Sequence, residues 1–221
     1  MKSVSTLVQD IYSLLESGKA KLDSTRLGEM IASRLVPGGG GPALRMSNLG
    51  EKCWRKLWYR EHMPEKAEPL SGPTLLKFLI GDIIEEVTLS LAEQAGHDVK
   101  GRQDLLVLHG VEGHRDAIID GVLVDVKSAN SRGMDKFREH KLEHDDPFGY
   151  LAQLSAYLDA SKDTEVKGEA AFLAVDKELG HLVLDRYRKK DIDWPKKIAE
   201  LREMLAKEEP PKRGYMAKPD G

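Results

Sequence analysis

The chain has 221 residues, of which 40% are hydrophobic and 32% charged, with a formal net charge of −3. That composition supplies the core of one globular domain, and its slightly acidic balance argues against a protein that coats nucleic acid through positive charge alone. No apolar run approaches the roughly 18 residues of a membrane span, and the one cysteine, Cys53, excludes an intrachain disulfide or a cysteine-built metal cluster within one chain.

In chain order, helical spacing of apolar residues predicts amphipathic helices over 4–17 and 24–35, the second capped by Ser24. The first carries acids among its apolar residues and no signal-peptide cleavage pattern, so a cytoplasmic protein with no membrane partner is expected. Gly38 to Gly41, followed by Pro42, reads as a flexible linker. Residues 1–41 are therefore expected to form a helical N-terminal extension, and 42–221 the main domain. Ser47 is predicted to cap a helix over 48–61, and a loop rich in Pro and Glu follows from Pro64 to Pro73.

A long helix is predicted over 74–95, with Leu76, Leu79, Ile80, Ile83 and Val87 as its buried face and Gly96 as its C-terminal cap. Strand patterns cover 97–109, 111–119 and 122–128, and a long polar loop is predicted over 129–145. Asp146 and Pro147 open a helix that runs to about Ser161. Strands over 168–176 and 181–187 and a last helix over 191–207 follow. The order predicts an α/β protein, a mixed central sheet flanked by helices.

Within this frame the segment DAIIDGVLVDVK, residues 116–127, places three acids and a lysine in and around two apolar strands. Asp120-Gly121 is a two-residue hairpin turn, because this pair suits the positive φ angles of a type I′ turn. That turn pairs Ile119 with Val122, Ile118 with Leu123 and Ala117 with Val124, and brings Asp116 opposite Asp125. Paired residues share a face with Cβ atoms about 4.5–5.5 Å apart, and alternation adds Lys127 to that face. Like charges directly opposite repel unless a cation relieves them, and hard oxygen ligands suit Mg²⁺ or Mn²⁺. Glu85 lies one turn beyond Gly81 on the long helix, where the glycine permits close approach to a sheet or substrate. On the later helix Tyr150, Gln153 and Tyr157 share one face beside a leucine stripe.

These residues, in this order, resemble the PD-(D/E)xK nucleases, and among them the RecB-like and phage exonuclease branch. The branch carries Gly-x-x-x-(His/Glu), matched by Gly81 to Glu85, and Gly-x-x-Asp, matched by Gly113 to Asp116. It carries an Asp-x-Lys strand, matched by Asp125 to Lys127, and Gln-x-x-x-Tyr, matched by Gln153 to Tyr157. The resemblance spans roughly residues 45–190 and implies a restriction-endonuclease-like core. It further implies that Glu85, Asp116, Asp125 and the backbone carbonyl of Val126 bind one or two Mg²⁺ or Mn²⁺ ions. Lys127 would position or activate the attacking water and stabilise charge on the phosphate, with Gln153 and Tyr157 holding the site and the DNA backbone.

The proline of the PD signature is absent, Arg115 preceding Asp116. The segment from Glu51 to Tyr59 resembles the start of an iron–sulfur site in CRISPR-associated and helicase-linked relatives, but the three further cysteines of that site are missing, so no cluster is expected and Cys53 is expected to be a small core residue. DNA contacts are expected from Arg45, Lys52, Arg55, Lys56 and Arg60 interleaved with Trp54 and Trp58, and from Lys136 and Phe137 in the polar loop. For the tryptophans, core packing is the equally weighted alternative. His140, His144 and Asp145 are read as a solvated loop rather than a second metal site.

The expected function is a metal-dependent deoxyribonuclease, an exonuclease acting on DNA ends or single strands in phage-type recombination, replication or genome processing. Its partner would be a single-strand annealing protein or a helicase. The alternatives are a structure-specific endonuclease acting on flap or branched DNA, a DNA-binding module on the nuclease fold without catalysis, and a hydrolase of small phosphorylated molecules.

Overall fold

The computed structural model of the protein describes residues 2–35, 41–161, 166 and 168–213. Gly38 to Gly40 of the predicted linker and the tail beyond 213 lie outside the described residues. Helix α1 (Leu7–Glu16) follows a 3-10 turn and buries Leu7 and Ile11 completely. Helix α2 (Ser24–Leu35) begins at Ser24 itself, so the cap is Asp23, whose Oδ1 accepts from the Arg26 N–H at 3.0 Å. Residues 46–48 form only a 3-10 turn, and helix α3 (Trp54–His62) starts well after the predicted Ser47 cap, with Cys53 at its N-cap position. Cys53 is half-buried there rather than a core residue.

Helix α4 (Gly72–Gln94) ends on Gly96, whose φ of +89° fits the predicted cap. Its second half buries Leu89, Leu91 and Ala92, but Leu76 and Ile80, expected in the core, are exposed, as are Leu75 and Phe78. Periodicity marks an apolar stripe; packing covers only its C-terminal part.

Among the described residues, seven strands follow the order β1 (Val99–Lys100), β2 (Leu105–Leu108), β3 (Val111–His114), β4 (Ala117–Ile119), β5 (Val122–Ala129), β6 (Glu169–Asp176) and β7 (Leu182–Arg188). Five form one mixed sheet in the order β1-β4-β5-β6-β7, in which only β5 and β6 run parallel; β2 and β3 pair as a separate hairpin. The predicted strand over 97–109 is broken by Gly101 (φ +60°) and Gln103 (φ +56°), both in left-handed backbone. The Asp120-Gly121 turn has φ of +51° and +81°, and its strands pair in the predicted register, Ala117 with Val124, Ile118 with Leu123 and Ile119 with Val122.

The stretch predicted as a polar loop contains helix α5 (Ser131–Arg138) and a 3-10 turn at Lys141–Glu143. Asn130 Oδ1 caps α5 by accepting from the Gly133 N–H at 2.8 Å, and Met134, Phe137 and Leu142 enter the core. His140 is exposed, as expected, yet hydrogen-bonds through Nδ1 to Asp185 at 2.6 Å and stacks on Tyr187. Helix α6 (Tyr150–Ala160) begins three residues after the predicted Pro147, with Gly149 rather than Asp146 at its N-cap; Asp146 still serves its first turn, its two carboxylate oxygens accepting from the Tyr150 and Leu151 N–H groups, each at 2.9 Å. Helix α7 (Trp194–Leu205) closes the described fold.

Alternation along the strands divides the core between the two faces of the sheet. Leu123, Phe172 and Ala174 join residues of α3, α5, α6 and α7 on one side. Val124, Val126, Ala171 and Leu173 join Leu7 and Ile11 of α1 and Leu89 and Ala92 of α4 on the other. The first helix is thereby part of the sheet's core. Among the described residues, no helix is long and apolar enough to cross a membrane.

Candidate functional site

Asp125 and Lys127 emerge from the middle of β5, between β4 and β6, and share the face of Leu123. Asp125 is 3% exposed. Its Oδ1 accepts from Gln153 Nε2 at 3.1 Å, and its Oδ2 lies 2.6 Å from Lys127 Nζ. This second contact is an ion pair with a single donor, which leaves the buried Oδ2 with acceptor capacity to spare. The Lys127 ammonium also sits 5.0 Å from the centre of the Tyr150 ring.

The hairpin register brings Asp116 to the same place, but the ladder stops at Ala117. Asp116 instead accepts the Val126 N–H on Oδ2 at 2.7 Å. The carboxylate thus takes over a backbone donor of β5 and fixes the side chain against that strand. Glu85 arrives from α4. Its Oε1 accepts from Gln103 Nε2 at 2.6 Å, while the Gln103 N–H donates to the Asp116 carbonyl at 3.3 Å. Gln103 therefore bridges the helix and the strand entry, a role carried by no motif in the sequence. Gln103 lies in the short connection between β1 and β2 and has left-handed backbone, φ +56°.

Gly113 has a different part from the flexibility usually assigned to a motif glycine. A Cβ there would lie 2.7 Å from Met46 Cβ and 3.0 Å from Tyr157 Cε1, so its hydrogen lets α6 close on β3. Gly81, expected to permit a close approach, has ordinary clearance: a Cβ would meet Ser128 Oγ at 3.8 Å.

The electrostatics follow from three carboxylates gathered under cover. Burial, and then the Asp125 and Glu85 charges, push Asp116 well above the usual carboxylate range, against the opposing pull of Lys127 and the Val126 N–H. Burial raises Glu85 to about 6, assisted by Asp125 and Asp82 and opposed by the Gln103 hydrogen bond. For Lys127, burial works against the charge, but Asp125 and Asp116 outweigh it and hold the ammonium above the ordinary lysine range. Tyr157 is pushed up to about 12 by burial and by the same two aspartates, so it stays a neutral phenol.

This donor set suits a hard divalent cation: carboxylate oxygens that repel one another, and a buried Asp125 oxygen that is not fully satisfied. Among the described residues no three His, Cys, Asp or Glu side chains stand in a ready-made metal cage. The acids are within electrostatic reach, and Lys127 supplies the compensating charge nearest Asp125.

The residues expected to touch DNA separate into groups. Trp58 is 2% exposed and donates its Nε1–H to the Lys207 carbonyl at 2.7 Å; Phe137 is 5% exposed and packs edge-on against Phe172. Both are core residues and offer no stacking surface, which corrects the expectation for Phe137 and decides for the core alternative at Trp58. Trp54 is half-buried against the same core. Arg55 is held by the Pro211 carbonyl at 2.6 Å and the Tyr59 hydroxyl at 2.8 Å, Lys56 by Glu51 at 2.9 Å, and Lys136 by Asp145 at 2.7 Å. Lys52 and Arg60 are exposed, and Arg45 is half-buried.

No protein-family model matches the chain, and no curated protein matches it. Among solved structures, SSO0001 is similar over 85% of this chain and 86% of its own, with 14% identity and a TM-score of 0.46.

Proposed function

We propose that the chain is a metal-dependent deoxyribonuclease with a restriction-endonuclease-like core, acting as an exonuclease on DNA ends. One observation carries the reading. Glu85 of α4, Asp116 just ahead of β4 and Asp125 of β5 lie within electrostatic reach of one another in partly covered surroundings, at the cost of mutual carboxylate repulsion. Lys127 is 2.6 Å from Asp125, and Asp116 is bonded to the backbone between them. A protein that only binds nucleic acid gains nothing from three acids where the phosphate must lie, since they repel it.

Glu85, Asp116 and Asp125, with the Val126 carbonyl, would hold Mg²⁺ or Mn²⁺, which when bound supplies a Lewis acid for the phosphate and a water nucleophilic at neutral pH. The protein's own groups do the rest. Lys127 remains an ammonium, so it acts as a fixed positive charge and donor toward a phosphate oxygen, not as a base. Gln153 orients Asp125, and the neutral Tyr157 hydroxyl is available as a donor beside the carboxylates. The preference for ends rests on the family resemblance; a flap or branched-DNA endonuclease would use the same groups.

The test compares end-labelled linear DNA with covalently closed circles, each with Mg²⁺, Mn²⁺ or chelator. Loss of linear DNA only, dependent on metal and abolished in Asp125→Asn and Lys127→Met, is expected. Cut circles would replace the exonuclease by an endonuclease, and cleavage retained in both variants would remove the assignment of the site.

A further inference from the structure

The basic stretch 45–60 contains one cation whose surroundings are anomalous. Arg55 and Lys56 are spent on internal partners, and Lys52 extends into solvent. Arg45 is different. Its backbone is pinned, with the N–H donating to Asn48 Oδ1 at 2.9 Å and Asn48 Nδ2 donating to the Ala43 carbonyl at 2.6 Å. The next residue, Met46, is fully buried against Gly113 and shares a core cluster with Tyr157. Arg45 is therefore anchored beside the Tyr157 edge of the acidic site.

The Arg45 guanidinium is half-buried, and its Nε is shut from water without a hydrogen-bond partner. Among the described residues no carboxylate forms an ion pair with Arg45 or Arg60. The charge nearest in effect is Arg60, of the same sign. An arginine stays charged under such conditions, so burial and repulsion are both unrelieved in the free protein. An anion held between the two would relieve both, and a phosphate matches the planar guanidinium fork.

We propose that Arg45, with Arg60 as the second cation, binds a backbone phosphate of a nucleic-acid strand next to the phosphate held at the Asp116–Asp125–Lys127 centre. The inference rests on the nuclease reading for its ligand class, yet its test needs no cleavage. The full chain in chelator is titrated into a fluorescein-labelled oligothymidine, and anisotropy is followed across a range of salt. Arg45→Gln should weaken binding about tenfold and flatten the slope of log affinity against log salt by about 0.7. Arg45→Lys should fall between, keeping the charge and losing the fork. Arg60→Gln, at an exposed position, should flatten the slope similarly, and it reports on the same phosphate if the Arg45 variant does not fold. Lys19→Gln, an exposed lysine beyond α1, should bind like the wild type.

Wild-type affinity and slope in both arginine variants would overturn the proposal and leave the nuclease reading untouched. Absence of binding by the wild-type chain at low salt would overturn it too. Arginine-dependent binding in a protein that cleaves nothing would uphold the subsite and sink the nuclease reading.

Discussion

Replacing Glu85 by Gln should make the protein more stable while removing its proposed activity. Glu85 is raised from an ordinary value of 4.5 to about 6, so the folded chain takes up its proton before the unfolded chain does. The sign follows: ionising Glu85 costs more in the folded state, and stability falls as pH rises between those two values. The difference corresponds to about 2 kcal/mol near pH 7.5, shrinking to under about 1 kcal/mol near pH 5 as the native carboxyl is protonated. The glutamine keeps an acceptor for Gln103 Nε2, so the bridge to the Asp116 carbonyl survives. Urea unfolding of both proteins in chelator, near pH 7.5 and again near pH 5, measures the gap directly. A variant less stable than the wild type near pH 7.5, or a gap that does not narrow on acidification, would refute the view that Glu85 is held in a repulsive, covered site.

Two further substitutions separate structural from functional roles. Phe137→Ala should cost about 3–5 kcal/mol in urea unfolding, because the ring is buried against Phe172; a loss below about 1 kcal/mol would return it to the surface and to DNA contact. Gly113→Ala should cost about 1–3 kcal/mol by overpacking and lower cleavage, since its Cβ would collide with Met46 and crowd Tyr157. Unfolding free energy and initial rate measured on the same preparation check both halves, and a fully active Gly113→Ala would show that this contact does not position the site.

The hairpin was legible because its information is local. Asp120-Gly121 sets the turn, the turn sets the register, and alternation places Asp125 with Lys127. The start of α6 falls three residues after the expected one, because Gly149 in left-handed backbone takes the N-cap position, although Asp146 still accepts from the first-turn N–H groups. Elsewhere the pattern named a residue's chemistry without its neighbour. Phe137 among lysines and arginines reads as a wedge in a polar loop, and only the contact with Phe172, distant in sequence, shows it as the buried side of a short helix. Leu76 and Ile80 keep the helical period of a buried stripe but lack cover. Gln103 joins the site from left-handed backbone that composition does not encode.

The position of β5 also determines which changes of chain length the site can absorb. One of its edges is set by the Asp120-Gly121 hairpin, and the other by a seven-pair parallel ladder running from Leu123–Ala170 to Ala129–Asp176. Adding or deleting one residue in that turn would satisfy the second ladder only by breaking the first. A strand that slipped instead would carry Asp125 and Lys127 to the opposite face, beside Ala171 and Leu173, and bring Val124 and Val126 to the face of the site, exchanging an ionic surface for an apolar one. Single-residue insertions and deletions are thus filtered out at the turn by folding itself, before any demand of catalysis is applied.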